Sequence, residues 1–202
     1  MNLLIVGHGP SLLQRNAGAE IDSYDFVVRQ KRCQETLAYP EIYGSKKDAV
    51  CGSWTIGPQL VHVGADEIWV FLDSRHEKVP MGEIWRAQQS LPATILPGLC
   101  NRWNETYRSL RTPPELDPRQ KKWSELGHPH LSAGFHAIIY AAEIKRPKTI
   151  TLAGFDNIQT GTFTWSITRG PDWQNYPDHN WPVEHAMLPL VEEEFDVEVK
   201  FL

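Results

Sequence analysis

The sequence predicts an α/β fold with a mostly parallel central sheet and helices on both of its faces. Short apolar runs, typical of strands buried on both sides, recur at residues 3–6, 26–28, 67–72 and 149–153. Helix-forming stretches lie between these runs, and the clearest of them spans residues 131–145. This alternation favours a parallel sheet, because parallel neighbours need a crossover connection that is usually a helix.

The composition is that of an ordinary soluble protein of about one domain. Of its 202 residues, 41% are hydrophobic and 22% are charged, and the net charge of −5 argues against a generic nucleic-acid coat. The three cysteines lie far apart with no Cys-x-x-Cys pair, so neither a zinc ribbon nor a disulfide framework is indicated. No apolar run approaches the ~20 residues that a membrane span requires. Because Met1 leads directly into a predicted strand, we expect no cleaved signal peptide.

The first dozen residues predict a strand, a glycine turn and the start of a helix. Gly7 and Gly9 end the apolar run, and Ser11 is a candidate helix cap ahead of Leu12 and Leu13. A helix N-terminus after such a turn is a place for a phosphate, because its backbone N–H groups and its dipole attract anions. An ordinary tight turn would fit the same residues. A dinucleotide fingerprint requires a third glycine where Leu12 stands, so an NAD-dependent dehydrogenase is weakly supported.

The remaining elements follow in order along the first half of the chain. Arg29 comes at the carboxyl end of the second strand, where open parallel sheets bind ligands. We predict a turn at 21–22, a turn and strand over 43–51, a helix over 54–63, a strand over 67–72, a helix over 80–89 and a strand over 93–96.

Residues 97–130 break this rhythm and are predicted to be a loop-rich insertion, with helix formers at 101–111. Basic residues alternate there with Trp103, Tyr107 and Trp123, a mixture that stacks on bases and contacts phosphates. The favoured interpretation is a solvated insertion with snorkelling basic side chains. His128 and His130 are two potential metal ligands without a third, which is more typical of a loop.

The second half of the chain returns to regular elements. Ser132 is a natural N-cap for a core-facing helix, and a strand at 149–153 leads into Gly154-Phe155. A final helix has Pro182 in its first turn, and Pro189 is expected to kink or shorten it. An alternating strand at 197–201 closes the chain. With neither an internal repeat nor a linker, residues 1–202 are predicted to form a single domain.

Three motifs now stand in order: Gly7-His-Gly-Pro-Ser-Leu followed by Ile21-Asp-x-x-Asp-x-Val-x-Arg29, then Ser132-Ala-Gly134 with the later Gly154-Phe155, then His179-x4-Glu184. In order and spacing they resemble the large, small and very small motifs of sialyltransferases that use CMP-sialic acid. The resemblance covers residues 3 to about 190. It implies a single Rossmann-like domain, a sialyltransferase-like variant of the GT-A fold.

The resemblance also implies a chemistry: an inverting, metal-independent transfer of a sugar from a CMP-activated donor to an acceptor hydroxyl. His179 would be the general base, since a helix dipole disfavours its cationic form and keeps it basic at neutral pH. Glu184 would support the site, while Tyr176 and Arg169 would stabilise the leaving CMP. Neither a metal nor a cofactor besides the donor is expected, and no Asp-x-Asp motif occurs. The implied nucleotide-sugar site comprises Gly7, His8, Gly9, Pro10, Ser11, Arg29, Lys31, Ser132, Ala133 and Gly134.

Several alternatives stay open at this point. His8, Lys31 and Ala133 depart from the family's pattern, which leaves the sugar undefined and motivates a non-catalytic module that keeps the CMP cradle. His185 is a rival for the role of base, and without the other motifs His179 would be interpreted as a capping residue. The acceptor is a glycan by resemblance, or a hydroxymethylated base in phage-type DNA. The expected location is the cytoplasm of a bacterium or a phage-infected host cell, and no oligomeric state is predicted.

Overall fold

The computed structural model describes residues 1–53, 61–71, 93–95, 97–110, 131–160 and 181–202. Seven strands in these residues form one parallel sheet in the order β5-β4-β3-β2-β1-β6-β7. The strands are β1 (Asn2–Val6), β2 (Phe26–Gln30), β3 (Ala49–Ser53), β4 (Glu67–Phe71), β5 (Ala93–Ile95), β6 (Thr149–Ala153) and β7 (Glu198–Phe201). The predicted α/β class with a parallel sheet is therefore confirmed.

The described helices are α1 (Gly18–Asp22), α2 (Cys33–Leu37), α3 (Pro40–Tyr43), α4 (Pro97–Ser109), α5 (Ala133–Tyr140), α6 (Asp156–Thr160) and α7 (Trp181–Phe195). Short 3₁₀ helices span Pro10–Gln14 and Val61–Val63, and α5 continues as a π-helical turn, Ala141–Lys145. Within these ranges, no helix is long and apolar enough to cross a membrane.

The sheet buries both of its faces, because successive side chains of each strand point to opposite sides. Leu3 and Ile5 of β1 enter the larger core with α5 and α7, whereas Leu4 and Val6 enter the smaller core with α1 and α3. On α5, every residue from Gly134 to Tyr140 is buried. Strands that are covered on both sides consist of continuous apolar residues. Their positions could therefore be predicted correctly from the sequence.

The strand order reverses between β1 and β6. The chain adds β2 to β5 on one side of β1 and then crosses through α5 to place β6 on the other side, with Val6 paired to Ala153. In open α/β sheets, ligands bind outside the carboxyl ends of the strands at such a switch point. The turns that follow β1 and β6 meet here, and they define the candidate site.

Several local predictions differ from the structure. Ser11 does not cap an α-helix: a 3₁₀ helix begins at Pro10 with Gly9 as its N-cap and without a side-chain cap. The turn expected at 21–22 belongs to α1. Pro189 lies inside α7 and does not shorten it, because the buried residues Met187, Leu188 and Val191 hold the helix against the core on both sides of the proline. The alternative expectation, a kink at Pro189, stays a prediction.

The start of the predicted insertion is a helix, and its aromatic residues are in the core. Trp103 and Tyr107 of α4 are 4% and 1% exposed, so neither is available to stack on a base. The remaining predictions for residues 54–60, 72–92 and 111–130 fall outside the described residues. The loop that the sequence predicts over 157–178 is wrong at 157–160, which belong to α6, and its remainder lies outside the described residues. The prediction of a single domain with a loop-rich insertion over 97–130 stays a prediction.

Candidate functional site

Two turns are hydrogen-bonded to each other at the switch point. The N–H of Gly7 donates to the carbonyl of Ala153, and the N–H of Gly9 donates to the carbonyl of Gly154, both at 2.7 Å. Gly154 has a φ of +68°, a left-handed conformation that favours glycine over other residues. The Gly7–Ser11 turn and the Gly154–Asp156 turn therefore form one rigid junction.

Asp156 completes this junction and was missed by the sequence analysis. Its carboxylate accepts from the N–H of Ser11 at 3.3 Å and from the Ser11 hydroxyl at 3.1 Å. A Cβ on Gly9 would collide with Asp156 Oδ2 and would lie 2.7 Å from the Gly154 carbonyl oxygen. The N–H groups of Gly7, Gly9 and Ser11, expected to be available to a phosphate, thus all have internal partners. An acidic residue directly after Gly154-Phe155 was the one sequence signal for this arrangement.

The second predicted element of the site is the N-terminus of α5. Ser132 caps this helix as expected, since its hydroxyl accepts from the N–H of Phe135 at 3.0 Å. A Cβ on Gly134 would lie 2.5 Å from Gln30 Nε2 and 2.8 Å from the Phe155 ring. Gly134 therefore lets the ends of β2 and β6 close against α5, and Gln30 is a further residue of this region that the motifs did not single out.

Glu184 binds Ser132 across 52 residues of sequence. Glu184 Oε1 accepts from the N–H of Ser132 at 2.6 Å, and Oε2 accepts from its hydroxyl at 2.7 Å. Glu184 is fully buried and Ser132 is 6% exposed. Because Glu184 lies in the first turns of α7, this pair joins the start of α7 to the N-terminus of α5.

Burial raises the pKa of Glu184 to about 8, although the hydrogen bonds from the N–H and hydroxyl of Ser132 oppose the rise. Within the described residues, no salt bridge includes this carboxyl group. The raised pKa favours the neutral form of Glu184 at neutral pH. A neutral group at this position does not repel an anion at the α5 N-terminus.

His8 and Lys31 are linked directly. The Nε2–H of His8 donates to the carbonyl of Lys31 at 2.7 Å, and the N–H of Lys31 donates to the carbonyl of Cys51. The His8 ring therefore spans from the turn after β1 to the end of β2. Of the other predicted residues, Pro10 is half-buried as the first residue of the 3₁₀ helix, and Ala133 is half-buried as the first residue of α5.

Arg29 lies in a different environment from the one implied by the resemblance. Its guanidinium is fully buried, donates to the carbonyls of Tyr43 at 2.7 Å and Lys46 at 2.9 Å, and lies 4.0 Å from Asp22. Burial opposes ionisation of Asp22, but hydrogen bonds from Lys46 and Ser45 and the charge of Arg29 together lower its pKa. Arg29 therefore ties β2 to α1 and α3, and its partners among the described residues are the carbonyls of Tyr43 and Lys46 and the carboxylate of Asp22.

The predicted catalytic residues are only partly described. His179, Tyr176 and Arg169 lie outside the described residues. His185 is exposed on α7, and its Nδ1–H donates to the carbonyl of Ile158 at 2.8 Å, which leaves Nε2 as an acceptor in the neutral ring. Over the described ranges, no group of three or more potential ligands is placed to hold a metal ion.

The sequence matches no protein-family model, and no curated protein matches it. Among solved structures it is similar to a mammalian sialyltransferase crystallised in complex with Gal-beta-1-3GalNAc-ortho-nitrophenol. The superposition covers 98% of this chain and 68% of that chain, with a TM-score of 0.51 at 14% sequence identity. The chain thus has a sialyltransferase-like, Rossmann-like α/β fold.

Proposed function

We propose that this chain is an inverting glycosyltransferase that transfers a sugar from a CMP-activated donor to an acceptor hydroxyl without a metal. The pair formed by Ser132 and Glu184 is the observation that carries this proposal. It brings Glu184 at the start of α7 to Ser132 at the N-terminus of α5, 52 residues away in the sequence. A sialyltransferase-like fold supports the same assignment.

In this proposal the donor phosphate binds at the N-terminus of α5. The N–H groups of Ala133 and Gly134 have no carbonyl one turn back within the helix, and the helix dipole adds positive potential. The turn after β1 contributes little to phosphate binding, because the N–H groups of Gly7, Gly9 and Ser11 have internal partners. The carboxylate of Asp156 is instead suited to accept hydrogen bonds from ribose or sugar hydroxyls.

His179 is the proposed general base. It takes the proton of the acceptor hydroxyl while that oxygen attacks the anomeric carbon of the donor. The bond between this carbon and the phosphate oxygen breaks at the same time, so the configuration inverts and CMP leaves with the electron pair. Arg169 and Tyr176 would stabilise the charge that develops on the phosphate. His185 is the alternative base, since its ring orientation leaves Nε2 able to accept a proton.

The proposed acceptor is a glycan hydroxyl. The similar mammalian enzyme was crystallised with a disaccharide derivative, which supports this class. The alternative acceptor, a hydroxymethylated base in DNA, depended on the aromatic residues of the insertion. Two of these, Trp103 and Tyr107, are buried in the core and favour the glycan.

A second candidate function is a nucleotide-binding module without catalysis. The departures of His8, Lys31 and Ala133 from the sialyltransferase motifs favour it. Such a module would bind CMP and would not release it from any CMP-sugar.

Thermal-shift binding to CMP, CDP, UDP, GDP and NAD tests the proposal. At about 100 times the dissociation constant, a ligand should stabilise the folded state by about 2.7 kcal/mol. Selective stabilisation by CMP is expected, and a response to UDP or NAD with CMP silent would contradict the donor assignment.

Turnover assays then separate the two candidate functions. His179→Ala should abolish CMP release and retain CMP binding, whereas His185→Ala should retain both. The matched control is His62→Ala, since His62 is exposed in the 3₁₀ helix that precedes β4. Loss of turnover in His185→Ala alone would transfer the role of base to His185.

A further inference from the structure

The peptide segment that enters α5 is held by side chains of two other helices. The N–H of Leu131 donates to Asn104 Oδ1 of α4 at 3.2 Å, and the next N–H, that of Ser132, donates to Glu184 of α7. All four residues are buried, with Asn104 and Glu184 fully so. Two consecutive N–H groups thus connect α4, α5 and α7 directly at the first turn of α5.

The chemistry of Asn104 shows which of its atoms matters. Because Leu131 offers an N–H donor, Oδ1 must face it and Nδ2 must face away. Nδ2 is buried and has no hydrogen-bond partner among the described residues, which carries a free-energy cost. A leucine of similar size would avoid that cost in a helix that otherwise buries Trp103 and Tyr107. What asparagine contributes here is therefore the hydrogen bond that its carbonyl oxygen accepts from the N–H of Leu131.

We infer that Asn104 is a positioning residue for the donor site: it holds Leu131, and through it the N-terminal turn of α5, in the place where Glu184 binds Ser132. This inference rests on the proposed function, in which α5 binds the donor phosphate. An anion at a helix N-terminus depends on the direction of a few N–H groups, so a shift of this turn weakens binding. Asn104 acts through Leu131 and touches no substrate.

Three variants test this role by calorimetric titration with CMP. Asn104→Leu removes the acceptor, and we expect CMP affinity to fall about tenfold, equivalent to about 1.4 kcal/mol. Asn104→Asp keeps an oxygen for Leu131 and should restore affinity to within about threefold of the wild type. Trp103→Phe is the matched control, because it changes the neighbouring buried residue, whose Nε1 has no partner among the described residues, and should leave affinity unchanged.

Hydrogen exchange supplies a measurement that does not require CMP. In Asn104→Leu, faster exchange is expected at the amides of Leu131 and Ser132 and in the first turn of α5, while β1 and β6 stay protected. Wild-type CMP affinity in Asn104→Leu would overturn the inference. Faster exchange throughout the molecule, or equal loss of affinity in Asn104→Asp, would also overturn it. If wild-type protein does not bind CMP, the donor assignment fails, and local exchange at α5 still decides whether Asn104 positions this turn.

Discussion

At the scale of single residues, burial changes the roles that the motifs implied. Glu184 is a fully buried carboxyl group whose partners in the structure are the N–H and the hydroxyl of Ser132. Arg29 is a fully buried guanidinium that binds two backbone carbonyls. Both residue types usually carry a charge at the protein surface. Burial instead favours the neutral form of Glu184 and places the Arg29 guanidinium among internal partners. Each of these findings leads to a prediction.

Glu184 should make stability depend on pH. Its pKa of about 8 in the folded protein exceeds the ordinary value of 4.5, so the folded state binds more protons between these values. Stability should therefore fall as pH rises through this window, with a slope of up to about 1.4 kcal/mol per pH unit, and level off above it. Urea denaturation of Glu184→Gln should show a nearly flat profile. Glu193→Gln, an exposed position on the same helix, should keep the wild-type slope, and an equal slope in all three proteins would refute the prediction.

Arg29→Lys should destabilise the fold by about 3 kcal/mol and leave CMP affinity within about threefold of the wild type. Lysine lacks the planar fork that reaches the carbonyls of Tyr43 and Lys46 together, so buried acceptors lose their donors. Chemical denaturation and CMP titration measure the two effects. Arg15→Lys, at a half-exposed ion pair with Glu20, serves as the control and should change stability by less than about 0.5 kcal/mol. A stable Arg29→Lys variant that loses CMP would return Arg29 to the nucleotide site.

At the scale of elements, tertiary packing overrides local preference in α7. A proline inside a helix removes one hydrogen bond and crowds the preceding turn, which predicted an early end or a kink. The helix nevertheless runs from Trp181 to Phe195, with Met187, Leu188 and Val191 buried around the exposed Pro189. The apolar face of α7 stabilises the helix by more than the proline costs.

Pro189→Ala should therefore stabilise the protein, by up to about 3 kcal/mol. Alanine restores the N–H that can donate to the carbonyl of His185 and removes the clash of the ring. The change in denaturation midpoint measures the effect. Glu193→Ala, another exposed position of α7, should shift stability by less than about 0.5 kcal/mol. Destabilisation by Pro189→Ala would show that the pyrrolidine ring itself contributes to packing.

At the scale of the whole molecule, charge and burial argue against a nucleic-acid partner. The net charge is −5, and Trp103 and Tyr107 lie in the larger core rather than on the surface. Non-specific DNA binding depends on cations that neutralise phosphates.

We expect no salt-dependent shift of duplex DNA by this protein in a gel assay at low ionic strength. The physical reason is repulsion between an acidic protein and a polyanion, which is strongest when salt is low. A basic DNA-binding domain run in the same gel is the positive control. Binding that weakens steeply with added salt would instead restore DNA as a candidate acceptor.

The sequence by itself determined the class of fold and the order of its elements. Buried parallel strands need continuous apolar runs, and all of the predicted strands that lie in the described residues were found. The cap at Ser132 was predictable because a capping hydrogen bond is local: the Ser132 hydroxyl accepts from the N–H of Phe135, three residues later in the sequence. These features depend on local chemistry and on residue spacing, and both can be obtained from a single sequence.

Only the tertiary structure decided which distant groups meet. The contact of Asp156 with Ser11 spans 145 residues, that of Asn104 with Leu131 spans 27, and that of Glu184 with Ser132 spans 52. No local pattern encodes such pairs, because the fold brings together segments that lie far apart in the sequence. Burial, and with it the protonation of Glu184, likewise follows from packing and not from residue type.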